Sequence, residues 1–327
     1  MTERSYIDIM MGSFGVCVYW HDGAEIHNRS FDFYNEMAQP TSHQHLIFRL
    51  MRSLRDILAT FKSKDIRTAQ FRVVYSGECT FTEPVHTEKI FTTPTIISSK
   101  VQKAIVQEIM LEHTNKAHEG YSICGYVLNG ISSRGFQYDG DERVVEATFH
   151  GVVTYCDKEL RMWVDRTLYL AGATTISVRH RAQSSMIPSV LMEMLLTKSK
   201  GSVLVYEIGA LQSLSSQWTR EGLQASMIAP VGQHLLLSPI GQARLIEDIS
   251  GWCKEPKGTV EVVFMMDAQY YGTLTHELDN VMHKVQHLFP HYTLGAMVYA
   301  LDYTNPEDVY HLFSRVYNSD TIGSGTE

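Results

Sequence analysis

The feature that most constrains this chain is a restart. A strand-and-glycine pattern near residue 12 returns near residue 209, and each copy opens a half built of strands and then helices. In the first copy Tyr6, Ile7 and Ile9 lead to Gly12-Ser13. Phe14, Val16, Val18 and Trp20 then lead to Asp22-Gly23, and Ile26 opens a third run. Alternating apolar runs broken by Asp-Gly predict an antiparallel meander. In the second copy Ser202-Val203-Leu204-Val205-Tyr206 leads to Gly209, with a strand pair around Gln217 and 223–228. A chain of 327 residues has room for two such halves.

Between and after these turns the period switches. Leu46, Ile47, Leu50, Leu54, Ile57, Leu58 and Phe61 recur at helical spacing over 44–62, and 71–75 reads as a short buried strand. Helices are predicted over 95–113 and 157–170, with strands at 121–128, 144–155 and 174–178. A buried helix is predicted at 188–198. The second half continues with helix 240–252, strand 260–266, helix 274–288, strand 294–301 and helix 306–317. This divides the chain into a first half (1–90), an inserted α/β subdomain (91–170), a return to the first half (171–200) and a second half (201–317). A disordered tail is expected at 318–327.

Charge and cysteine usage exclude several classes. A net charge of −8 and the absence of any basic run longer than Arg179-His180-Arg181 argue against nucleic acid as a partner. The stretch Met1-Thr2-Glu3-Arg4-Ser5 lacks the apolar core of a secretory leader. The longest uncharged stretch, 222–243, is broken by Pro230, Gly232, Pro239 and Gly241, so no direct membrane insertion is expected. The five cysteines (Cys17, Cys79, Cys124, Cys156, Cys253) are dispersed and never paired as Cys-x-x-Cys, which predicts buried free thiols in a reducing, cytoplasmic compartment.

The order of pieces resembles the actin-like ATPase superfamily, and within it the group of the type IV pilus assembly protein PilM and the cell-division protein FtsA. It is carried by Ile7-Asp8-Ile9-x-x-Gly12-Ser13-x-Gly15, by Phe91-Thr92-Thr93-Pro94-Thr95-Ile96 before a helix and an inserted subdomain, and by Tyr206-Glu207-Ile208-Gly209 before a strand pair. The resemblance implies a duplicated α/β, ribonuclease H-like fold. It also implies ATP held between two glycine hairpins, each with a carboxylate that positions magnesium. Glycine allows backbone N–H groups to approach phosphate, and carboxylates suit the metal. On that basis the candidate nucleotide-binding residues are Asp8, Gly12, Ser13, Gly15, Glu207 and Gly209.

The motifs depart from the family pattern in three loops. Met10 stands where the family prefers glycine, Ala210 replaces the second glycine of the second hairpin, and Asp267-Ala268-Gln269 stands where a Gly-Gly turn is expected. The segment 232–257 is also short. It leaves only helix 240–252 where the family carries a subdomain over the cleft, so a water-open cleft is expected. These departures weigh against catalysis, and no catalytic residue and no metal ligand is assigned. The alternative is a functional ATPase using Asp8 and Glu207 with magnesium. A small-molecule kinase would need a carboxylate base that is not evident.

Other constellations read as structure. His276, His283 and His287 share a helix without a metalloprotease pattern, and Cys79, His86, Ser184 and Ser185 lack an activating context. The expectation is a cytoplasmic actin-like scaffold, peripheral to the inner face of the membrane, that organises a pilus- or division-type assembly. Its expected partners are the cytoplasmic tail of a membrane component, or copies of itself, with the inserted subdomain making the contacts.

Overall fold

The computed structural model describes residues 6–12, 14–22, 25–32, 42–61, 63–115, 119–138, 140–174, 177–187, 191, 202–219, 222–253, 258–303 and 305–318. Ser13, the expected helix at 188–198 apart from Leu191, and the tail from 319 lie outside the described residues.

The first half begins with β1 (Tyr6–Gly12), β2 (Gly15–Asp22) and β3 (Glu25–Asp32), an antiparallel meander. Helices α1 (His43–Leu58) and α2 (Ser63–Thr68) follow, then β4 (Gln70–Tyr75). β4 pairs parallel with β1 and with β9 (Val178–Ala182), giving a five-stranded sheet of order β3-β2-β1-β4-β9. The second half repeats this plan with β10 (Ser202–Ile208), β11 (Ser213–Thr219), β12 (Gly222–Ala229), β13 (Gly258–Asp267) and β14 (Tyr292–Leu301). Its order is β12-β11-β10-β13-β14, again with the second strand antiparallel to its two neighbours and the other pairs parallel. The two sheets match strand for strand, so the restart in the sequence is a duplication of topology.

The inserted unit interrupts the first half between β4 and β9: β5 (Thr80–Thr95), α3 (Ser99–Asn115), β6 (Tyr121–Ser133), β7 (Phe136–Gln137) and β8 (Val144–Asp157). Its antiparallel sheet has the order β5-β8-β6-β7, with α3 packing on one face through Ile105 and Ile109. β5 runs unbroken from Thr80, upstream of residue 91, and its outer half is exposed, which hides the strand from an apolar-run reading. Helix α4 (Lys158–Ala171) returns the chain to the first half. The strand expected at 174–178 is found at Val178–Ala182, where Arg179-His180-Arg181 masks its alternation.

Strand alternation sets the layers. Ile7, Ile9 and Met11 point to α1 and α4, where Leu46, Leu50, Leu54, Leu160, Val164 and Leu168 complete one core. Met10, Cys17, Tyr19 and Val74 point the other way, into a core shared by both halves. There they meet Val203, Val205, Val263 and Met265, together with α8 (Pro306–Asn318), which contributes Val309, Leu312, Phe313 and Val316. A third core covers the far face of the second sheet. It is formed with α6 (Pro239–Trp252), preceded by the short α5 (Gln233–Leu236), and α7 (Tyr271–Leu288). The last helix packs on the parent fold with its apolar side inward. No described helix is long and apolar enough to cross a membrane. All five cysteines are buried and none is in a disulfide.

Candidate functional site: a closed cleft between the halves

The two glycine turns meet at the junction of the halves. At the first, Gly12 closes β1 opposite Gly15. A side chain at Gly12 would collide with Ser76 Oγ, 1.8 Å from its ideal Cβ, and with the Phe14 ring, while the Ser76 N–H donates to Met11 O at 2.9 Å. Gly15 has φ of 135°, a conformation that favours glycine. At the second, Gly209 donates to Gln212 O at 3.0 Å across a tight turn that leaves the following amides pointing outward.

Those amides are occupied. Residues Gly77–Cys79 form a 3-10 turn after β4 that carries Glu78 into the second half. Glu78 Oε2 accepts the N–H of Leu211 at 2.9 Å and of Gln212 at 3.3 Å. The carboxylate is 2% exposed. Burial raises its pKa, while the Leu211 and Gln212 amides and His43 favour the charged form. A row of backbone N–H groups in a turn is an anion cradle of the type that holds phosphate. Here a carboxylate from the chain's own first half fills it.

Beside this contact lies a cavity of about 10 Å³, room for about one water molecule. Phe14, Gln183, Glu207, Gln233, Asp267 and Tyr303 help line it. Phe14 stacks on Tyr303 with ring centroids 3.9 Å apart, joining the first hairpin to the end of the second sheet. Tyr19 donates to Tyr303 O at 2.6 Å, and Tyr303 donates to Gln183 Oε1 at 3.1 Å. Glu207 is 2% exposed with neither oxygen hydrogen-bonded, and burial pushes its pKa up to about 8. Asp267 accepts the N–H of Gln269 at 3.0 Å and is also buried. Among the described residues no lysine or arginine lines the cavity.

The other sequence candidate does not join this group. Asp8 lies four residues before Gly12 and is 1% exposed. Arg72, its direct neighbour on β4, donates to both carboxylate oxygens at 2.6 and 2.5 Å. Tyr6, Phe313 and Tyr317 surround the guanidinium at 4.9–5.5 Å from their ring centroids. Asp8 and Arg72 form a structural ion pair under α8, while Glu207 faces the cleft. Met10 turns into the shared core at 0% exposure, so its bulk fills the junction rather than a loop. Ala210 is buried at the second turn.

The expectation of a water-open cleft is corrected. The segment carries the short α5 and then α6, and β12 lies along β5 of the inserted sheet. Ser226 Oγ donates to Thr82 O across this contact. Burial of apolar surface between the halves, with Glu78 seated on its cradle, closes the space. Glu78 was not singled out from the sequence, because its partners lie 133 and 134 positions away and nothing local marks them.

No protein-family model matches the sequence, and no curated protein matches it at a significant level. Solved structures share its arrangement at low identity. A Bacteroides thetaiotaomicron protein with an actin-like ATPase fold and unknown function is 8% identical, with 96% of each chain covered and a TM-score of 0.48. A PilM–PilN type IV pilus biogenesis complex is 9% identical, covering 97% of this chain and 96% of that chain, with a TM-score of 0.48. An exopolyphosphatase from Cytophaga hutchinsonii is 7% identical, covering 95% and 98%, with a TM-score of 0.39. The fold is actin-like. Its twin sheets of identical order carry that statement, and likenesses this distant say nothing of activity or partners.

Proposed function

We propose that this chain is an actin-like scaffold that does not hydrolyse nucleotide and works by holding protein partners. The observation that supports this most directly is Glu78, seated on the Leu211 and Gln212 amides where a phosphate would have to sit. Glu207 and Asp267 add acidic groups beside it, with space for about one water. Phosphate entry would require displacing a buried carboxylate and separating the halves.

The partners fit the reading of a membrane-associated assembly, of pilus or cell-division type, in which the inserted subdomain contacts the cytoplasmic tail of a membrane component or another copy. This finer role comes from the resemblance of the element order, and the protein would work at the inner membrane face. A second reading, an ATPase with magnesium, draws support from Glu207, a carboxyl group with no hydrogen bond at the second hairpin.

Calorimetric titration with Mg·ATP separates the two. The scaffold reading expects no saturable heat up to about 1 mM nucleotide. Submillimolar binding by the wild type, lost in Glu207→Gln, would overturn the scaffold reading, and phosphate release from Mg·ATP would then establish the ATPase reading. Pull-down of a candidate tail by the whole chain, lost on substitution of exposed β6 or β8 residues, tests the partner role.

A further inference from the structure

Away from the cleft, the inserted sheet carries two histidines on the face opposite α3. His86 on β5 and His150 on β8 are direct cross-strand partners. Their Nδ1 atoms lie 2.9 Å apart, with the rings edge-on and centroids 5.1 Å apart. The adjacent strand β6 supplies Ser132, whose Oγ is 2.8 Å from His150 Nε2. Val85 and Phe149, the neighbours of opposite parity, point into the core under α3, so the two imidazoles project to the other side. His86 is exposed.

We propose that His86 and His150 form a two-imidazole site for a divalent transition-metal ion of the copper or nickel type. Neutral imidazole nitrogen is a good ligand for these ions. Two nitrogens each about 2.05 Å from one ion and 2.9 Å apart subtend about 90° at the metal. That is the angle between neighbouring ligands of a square-planar or octahedral ion, the geometry of copper and nickel. A tetrahedral zinc ion would need about 3.3 Å between the nitrogens. Ser132 has a defined part: when its oxygen accepts the Nε2–H of His150, the lone pair of that ring lies on Nδ1, where it accepts the Nδ1–H of His86; metal binding replaces that proton, with His86 taking the Nε2–H tautomer. The imidazole edge is open to solvent at His86, so water completes the coordination. Glu88, two residues from His86 on the same strand face, adds negative charge nearby. Two ligands from rigid neighbouring strands require little ordering on binding.

The chain has a built-in control. His283 and His287 on α7 also lie side by side, with ring centroids 4.5 Å apart. Among the described residues no cluster of three or more His, Cys, Asp or Glu side chains competes for a metal. The test is calorimetric titration of the full chain, free of any histidine tag, with Cu²⁺ and with Ni²⁺. Electron paramagnetic resonance of the copper form then counts the nitrogen ligands. The expected result is binding that falls at least about tenfold in His86→Gln and in His150→Gln but not in a His283→Gln/His287→Gln variant, with two nitrogens on copper. Wild-type affinity in His86→Gln, loss that follows His283 and His287, or a single nitrogen on copper would each overturn the assignment.

Discussion

Oε2 of Glu78 lies 2.9 Å from the amide nitrogen of Leu211, so a carboxylate of the first half is held in the glycine turn of the second. This contact joins the two halves at the second glycine turn. It makes the closed cleft a property of the chain itself. Oε1 of the same carboxylate has no hydrogen bond, so the attachment rests on Oε2.

Removing that carboxylate is expected to loosen the junction. Glu78→Ala deletes hydrogen bonds to a charged acceptor and leaves the Leu211 and Gln212 amides without their partner, a cost of about 1.5–3 kcal/mol. Urea denaturation measures the loss. Hydrogen exchange at residues 211 and 212 should accelerate, and unchanged protection there would show that the contact does not hold the turn.

The buried carboxyl of Glu207 makes stability depend on pH. Its folded pKa of about 8 stands above the unfolded value of 4.5. The unfolded chain therefore releases this proton first, and stability is lost as pH rises from about 4.5 to about 8, by on the order of 5 kcal/mol in all. Glu207→Gln removes this dependence. Its denaturation midpoint should exceed that of the wild type at pH 8, with the two curves converging near pH 4.5. Parallel curves for the two proteins would contradict the assignment.

Asp8 offers a sharp contrast between a structural and a magnesium-binding carboxylate. Asp8→Ala strands Arg72 among Tyr6, Phe313 and Tyr317, and breaking a buried pair in this way costs about 3–5 kcal/mol. Thermal unfolding should show a large drop with no ligand present. A variant as stable as the wild type would reopen a role for Asp8 at a ligand.

Gly12 is held by steric fit. Gly12→Ala places a methyl group on Ser76 Oγ and close to Phe14, costing about 1–3 kcal/mol. Adding Ser76→Ala removes the nearer obstacle and should recover part of that loss. A double-mutant cycle with no coupling between the two positions would refute the packing explanation.

Much of the architecture was legible in the chain. The alternation of Ile7, Ile9, Val16 and Val18, the helical spacing of Leu46 to Leu58 and the return of the pattern at Val203 are local signals, and each sits in the element it predicts. Strands whose exposed positions carry polar groups were harder to read, as the outer half of β5 and the charged β9 illustrate. The same holds within the cleft. Asp8 and Glu207 looked equivalent as acids before glycine turns, but one meets Arg72 on the neighbouring strand and the other meets no partner.

Periodicity and turn chemistry act over a few residues, so the chain itself marks the strands at Ile7 and Val203 and the glycines at both turns. Only the tertiary structure decided what those turns hold. Glu78 reaches Leu211 because the two sheets share a core, and Phe14 reaches Tyr303 for the same reason. Such contacts join residues far apart in the chain, where no local pattern records them. Closing the cleft is a consequence of packing one half on the other.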